Sequence, residues 1–177
     1  PLKYKGAVLS EDERWLVLSI SEGTDGSELF YLDLMDPRMK SFKVIGQEGY
    51  TINQDFIDNL QDQFLILSNK NAPNYQLLLV DLRSGKETAF VPEKAAKLDA
   101  VTRVGDKIFC KYLKNASSKI EVYDLKGVLV DSIALPGLGT VSGLNGSAKD
   151  DHTFYTFNSF NAAPTIYKYD LKTGKSE

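Results

Sequence analysis

Apolar residues in this chain fall in short runs of strand length, and one kind of run recurs with the same tail. It reads Phe30-Tyr31-Leu32-Asp33-Leu34, then Leu78-Leu79-Val80-Asp81-Leu82, then Val122-Tyr123-Asp124-Leu125, then Tyr167-Lys168-Tyr169-Asp170-Leu171. Its aspartates follow one another at intervals of 48, 43 and 46 residues. Each tail has an apolar run before it, at 15–20, 64–68, 108–113 and 154–157. Shorter runs open each unit near residues 7–9, 56–57, 100–104 and 140–144. Runs at 42–45, 88–91 and 128–135 close the first three. Runs of four to eight residues bounded by Gly, Asn, Asp and Ser clusters predict β-strands. The fourth unit stops at Glu177, with its outer strand missing or barely begun.

The hairpin after the recurring run is nearly verbatim in two units. Asp81-Leu82-Arg83-Ser84-Gly85-Lys86 matches Asp170-Leu171-Lys172-Thr173-Gly174-Lys175, and Asp124-Leu125-Lys126-Gly127 is a shorter form. Aspartate can cap the turn's amides and glycine accepts the positive φ of a tight hairpin. A period in the forties carried by short strands predicts an all-β fold. Its units are four-stranded antiparallel sheets, the blades of a partial β-propeller. Four blades follow, at about 1–46, 47–94, 95–136 and 137–177, the last incomplete. Blades bury their faces against one another, so the chain reads as part of something larger. No helix of ten residues is predicted, and Lys94-Ala95-Ala96-Lys97 offers at most one helical turn.

Composition adds exclusions. Nineteen aromatics with many Val, Ile and Thr suit half-buried strands. No run nears the roughly 18 apolar residues of a membrane span, so no membrane partner is expected. A net charge of −3 provides no basic footprint for nucleic acid. The chain begins at Pro1 with no leader to read, and a single cysteine fits the cytoplasm without excluding the periplasm.

Catalytic motifs are missing. None of the serines has glycine two residues before and two after, as a nucleophile elbow requires. The one histidine, His152, follows Asp150-Asp151 in a polar turn, and the one cysteine, Cys110, sits inside an apolar strand. No catalytic residue, metal site or cofactor is therefore expected in these residues. Gly174-Lys175-Ser176 lacks the earlier glycine of a phosphate loop, where Tyr169 stands, and Gly137-Leu138-Gly139 reads as a turn between blades. Asn115-Ala116-Ser117 and Asn145-Gly146-Ser147 fit the glycosylation pattern but fall in Asn/Ser-rich turns. Glu11-Asp12-Glu13 reads as a solvated acidic turn.

Three stretches together resemble the prolyl oligopeptidase (prolyl endopeptidase) family of serine peptidases. They are residues 10–23, the Asn69-Lys70-Asn71-Ala72-Pro73-Asn74-Tyr75-Gln76-Leu77 segment, and residues 154–160 followed by 164–171. The resemblance runs from about residue 6 to 175. It implies a seven-bladed propeller inserted in an α/β-hydrolase domain that carries a Ser–Asp–His triad and cleaves short peptides after proline. The chain would then be the later part of the propeller, with the hydrolase domain elsewhere in the parent chain. It also implies that Ser21, Glu22, Gly23, Thr24 and Asp25 form a loop facing the substrate. Some members place an arginine and a cysteine there, where this chain has Ser21 and Thr24. An ordinary hairpin turn is the other reading of that loop.

Two functions follow. One is a non-catalytic lid that caps a peptidase active site and limits access to short proline-containing peptides. The other is a stand-alone propeller that binds a protein or glycan with no enzyme attached. A parent with dipeptidyl rather than endopeptidase specificity fits the first as well. Open propeller edges predict that the isolated segment dimerises.

Overall fold

The computed structural model describes residues 3–46 and 49–177. It contains four four-stranded antiparallel sheets and, among the described residues, no helix. The chain divides into two compact units, Pro1–Glu93 and Lys94–Glu177.

The first unit holds two meanders. One comprises β1 (Lys3–Leu9), β2 (Trp15–Glu22), β3 (Ser27–Asp33) and β4 (Lys43–Ile45). The other comprises β5 (Gln54–Leu60), β6 (Gln63–Ser68), β7 (Gln76–Asp81) and β8 (Glu87–Val91). Alternation along the strands decides which side chains meet. Trp15 and Val17 of β2 and Leu29 and Tyr31 of β3 turn to one face and pack with Phe64, Ile66, Leu78 and Val80. Trp15 meets Phe64 edge-on at 5.3 Å and Tyr31 at 5.7 Å, and its indole N–H donates to the Gln61 carbonyl at 3.2 Å. Such edge-on pairs add about 1 kcal/mol each beyond burial. Arg14 lies over the Trp15 ring at 4.2 Å, donates to Asp33 at 2.8 Å and sits 2.7 Å from Asp62. Its hydrogen bonds hold the Asp33 carboxyl below the usual range.

The second unit repeats the plan. Its first sheet is β9 (Lys97–Val104), β10 (Lys107–Lys114), β11 (Ser117–Asp124) and β12 (Leu129–Ile133). The second is β13 (Thr140–Asn145), β14 (His152–Ser159), β15 (Ala162–Asp170) and β16 (Lys175–Ser176). Phe109, Ile120, Val122 and Ile133 pack with Val141, Tyr155, Phe157 and Tyr169. The outer strand of the last sheet is two residues long. Residues 94–96 form no helical turn and lead directly into β9. The Lys94 ammonium is engaged by Glu121 and by the Tyr123 hydroxyl at 2.8 Å, which favours an extended entry to the strand over a free turn.

An antiparallel meander has two ends. One carries the turn between its first and second strands and the hairpin between its third and fourth. The recurring aspartates sit in those latter hairpins. The Asp81 Oδ1 accepts from the amides of Arg83 and Ser84 at 3.1 and 2.8 Å and from the Ser84 hydroxyl at 2.7 Å. Asp170 does the same with Lys172, Thr173 and the Thr173 hydroxyl. Gly85 and Gly174, both at φ 69°, donate to the carbonyls of Asp81 and Asp170. The other end carries the hairpins between second and third strands and the links between successive sheets.

Candidate functional site

The loop of Ser21, Glu22, Gly23, Thr24 and Asp25 lies at that second end of the first unit. Ser21 and Glu22 finish β2, with Ser21 paired to Tyr4 on one side and Ser27 on the other. Gly23, Thr24 and Asp25 are exposed. Glu22 pairs with Lys3 at 3.1 Å, and the Lys3 ammonium also donates to the Tyr50 hydroxyl at 2.8 Å. These bonds raise the Lys3 pKa. The tip is thus open while its base is fixed.

What fixes the base is the link to the next sheet. Gly26 is at φ 84°, and a Cβ there would fall 1.8 Å from the Tyr50 carbonyl oxygen. Only glycine lets the two backbones approach so closely. The Gly26 amide donates to Asn53 Oδ1 at 2.7 Å, and the Ser27 amide to the Ile52 carbonyl at 2.8 Å. The Gly49 amide donates to Glu28 at 2.7 Å.

Asn53 then reaches the neighbouring hairpin loop, residues 69–75. Its side-chain amide donates to the Tyr75 hydroxyl at 3.0 Å, and its backbone amide donates to Asn69 Oδ1 at 2.8 Å. Its carbonyl accepts from the Asn69 amide at 3.2 Å. Ala72 is buried, and the Tyr75 amide closes on the Ala72 carbonyl at 2.7 Å. These bonds give a physical reason for the Asn69…Tyr75 motif: its residues tie one hairpin loop to the foot of the other. Sequence reasoning missed Asn53. Its only signal was a polar Asn53-Gln54 pair ahead of an apolar strand, and that describes many loop residues.

The same device recurs in the second unit. The Ser118 amide donates to the Gly139 carbonyl at 2.8 Å, and the Val141 amide donates to Ser118 Oγ at 3.0 Å. Ser27 has the equivalent pair with Ile52 and Gln54. Both units therefore present preorganised hairpin loops at one end.

Other singled-out residues lie apart from this loop. His152 opens β14, half-buried, with Nδ1 2.6 Å from Asp151 and its ring edge-on to Phe154. Cys110 is buried in β10, where desolvation and then the charge of Glu121 push its thiol up to about 12, so it stays protonated. Asp12 accepts from Ser10 within its turn at 2.6 Å and from Asn59 of β5 at 2.8 Å. Asn115 occupies the β10–β11 turn and Asn145 ends β13. Among the described residues no three His, Cys, Asp or Glu side chains come together as metal ligands. Among the described residues, this loop end presents an exposed Gly23-Thr24-Asp25 tip over a hydrogen-bonded base.

Comparison with known proteins identifies the family. The family described as prolyl oligopeptidase, N-terminal β-propeller domain, matches residues 1–177. A prolyl endopeptidase of Elizabethkingia meningoseptica is 32% identical over 180 residues, covering 100% of this chain and 25% of that protein. A solved prolyl endopeptidase superposes with a TM-score of 0.89 at 30% identity, covering 99% of this chain and 26% of that one. Prolyl oligopeptidase B of Galerina marginata, solved with a 35-residue hydrolysis and macrocyclization substrate, gives 0.89 at 27% identity over 100% of this chain and 26% of its own. The chain spans about a quarter of the length of these relatives.

Proposed function

Because the chain belongs to the prolyl oligopeptidase N-terminal β-propeller family, we propose that it is the non-catalytic propeller segment of a serine peptidase cleaving short peptides after proline. In this reading an α/β-hydrolase domain of the same parent chain supplies the chemistry. The propeller caps that active site, excludes bulk water and limits entry to short peptides. The observation that carries the reading is the match along the full 177 residues. A loop end latched by backbone and amide bonds while its tip at Gly23, Thr24 and Asp25 stays open suits a wall that must hold shape beside a moving substrate.

The test uses the full-length parent protein. Thr24→Cys places a thiol on the loop tip, and a bulky maleimide then fills the space beside it. The labelled variant is expected to lose most of its kcat/KM for a proline-containing fluorogenic peptide, while wild type treated in the same way keeps its rate. Equal rates before and after labelling would remove the loop from the substrate path. A parent that cleaves no proline peptide would overturn the peptidase reading and favour a binding propeller.

A further inference from the structure

The loop end of the second unit holds a cavity of about 310 Å³, lined by Ala116, Gly139, Thr140, Asn158, Ser159 and Phe160. Gly139 makes it possible. A Cβ there would lie 2.2 Å from the Asn158 carbonyl oxygen and 2.7 Å from the Phe157 ring, so only glycine lets the link run flat against β14. Ser117 Oγ fixes the other side, donating to the Gly139 carbonyl at 3.2 Å and accepting from its amide at 3.3 Å. None of the lining residues is ionisable.

Among the lining residues, Phe160 is fully exposed on the tip of the β14–β15 hairpin, and Leu138, next to Gly139 in the chain, is 87% exposed. The hairpin that carries Phe160 is braced by Ser159 Oγ donating to Asn161 at 3.0 Å. Scattered exposed apolar residues are ordinary. The most exposed of them lining an uncharged cavity is a different matter. The volume lies at the small end for ligand sites, enough for one or two side chains.

We propose that this cavity is a subsite for an uncharged, apolar side chain of a peptide substrate, with Phe160 as its lid and a determinant of specificity. The proposal rests on the peptide-handling reading above. The uncharged lining disfavours an acidic or basic side chain, which would lose hydration without a partner. An aromatic or branched aliphatic side chain instead covers the Phe160 ring and gains from its burial.

Two measurements on the full-length parent decide it. The first compares kcat/KM for a minimal blocked proline peptide and for the same peptide extended by neutral residues ending in phenylalanine. Phe160→Ala is expected to lower the extended-to-minimal ratio about tenfold, and Phe160→Leu to restore much of it. The second uses the extended peptide with p-benzoylphenylalanine in place of the terminal residue, and maps the photo-crosslink by mass spectrometry. Crosslinks at residues 116, 138–140 or 158–160 support the subsite even if the parent cleaves neither peptide. Crosslinks confined elsewhere with an unmoved ratio overturn it and leave the peptidase reading standing. An equal fall for both peptides together with a lower melting temperature also overturns it, since Phe160 would then pack against the rest of the parent chain.

Discussion

Ser27 and Gln54 hold each other through three hydrogen bonds. Ser27 Oγ donates to the Gln54 carbonyl at 2.8 Å and accepts from its amide at 3.0 Å, while the Gln54 side-chain amide donates to the Ser27 carbonyl at 3.0 Å. Gln54 is buried, so Ser27→Ala strands an amide and a carbonyl without water. The expected loss is about 2 kcal/mol. Ser118→Ala, which removes a single bond from the buried Val141 amide, is expected to cost about half of that. Urea unfolding of each variant checks the order: a cost for Ser118→Ala equal to or above that for Ser27→Ala contradicts it.

Gly23 and Gly26 both sit at positive φ, 81° and 84°, yet their surroundings differ. A Cβ on Gly23 meets nothing within 4 Å, so Gly23→Ala should cost only the backbone preference, about 1 kcal/mol. Gly26→Ala drives a methyl into the Tyr50 carbonyl and should cost more than 3 kcal/mol or prevent folding. Similar melting temperatures for the two variants would refute the close approach.

Glu121 sets an acid limit on the second unit. Burial opposes its charge, but hydrogen bonds from Lys119, Lys94 and Tyr123 outweigh it and bring the carboxyl down from 4.5 to about 2. The folded state therefore favours the ionised form. The added stability is complete above pH 4.5 and is lost as pH falls toward 2. Discounted for the exposure of Lys119, it is on the order of 2 kcal/mol. In Glu121→Gln, stability at neutral pH should drop and its slope between pH 4.5 and 2 should flatten. An unchanged slope would place the acid response in other carboxylates.

Every residue of β1 is exposed, and among the described residues only one of its edges is paired. Tyr4, Val8 and Leu9 are about half exposed. A seven-residue strand with a free edge recruits other strands. The 177-residue chain on its own is expected to self-associate in light scattering, and Val8→Lys to shift it toward monomer. A monodisperse wild-type monomer at high concentration would count against this.

Much of this architecture was legible in the sequence, because the signals are local. Asp81 and Asp170 cap their own turns within three residues, and Trp15, Val17, Leu29 and Tyr31 announce one face by alternation. The latch at the loop end was not legible. Asn53 acts on Gly26 and Tyr75, residues 27 and 22 positions away, and nothing in a polar link betrays such partners. The cavity beside Phe160 was hidden for a similar reason: Gly139 reads as a turn glycine, and its closeness to Asn158 exists only once β13 pairs with β14.

Chemical ageing gives the latch another meaning. Asparagine deamidates when the following backbone nitrogen attacks its side-chain carbonyl, and losing the Asn53 amide would cut its bond to Tyr75. The attacking nitrogen here belongs to Gln54, and it is already donating to Ser27. The contact that positions the loop also restrains the atom that would destroy it, so the hairpin end should outlast the exposed Asn145-Gly146 step on long storage.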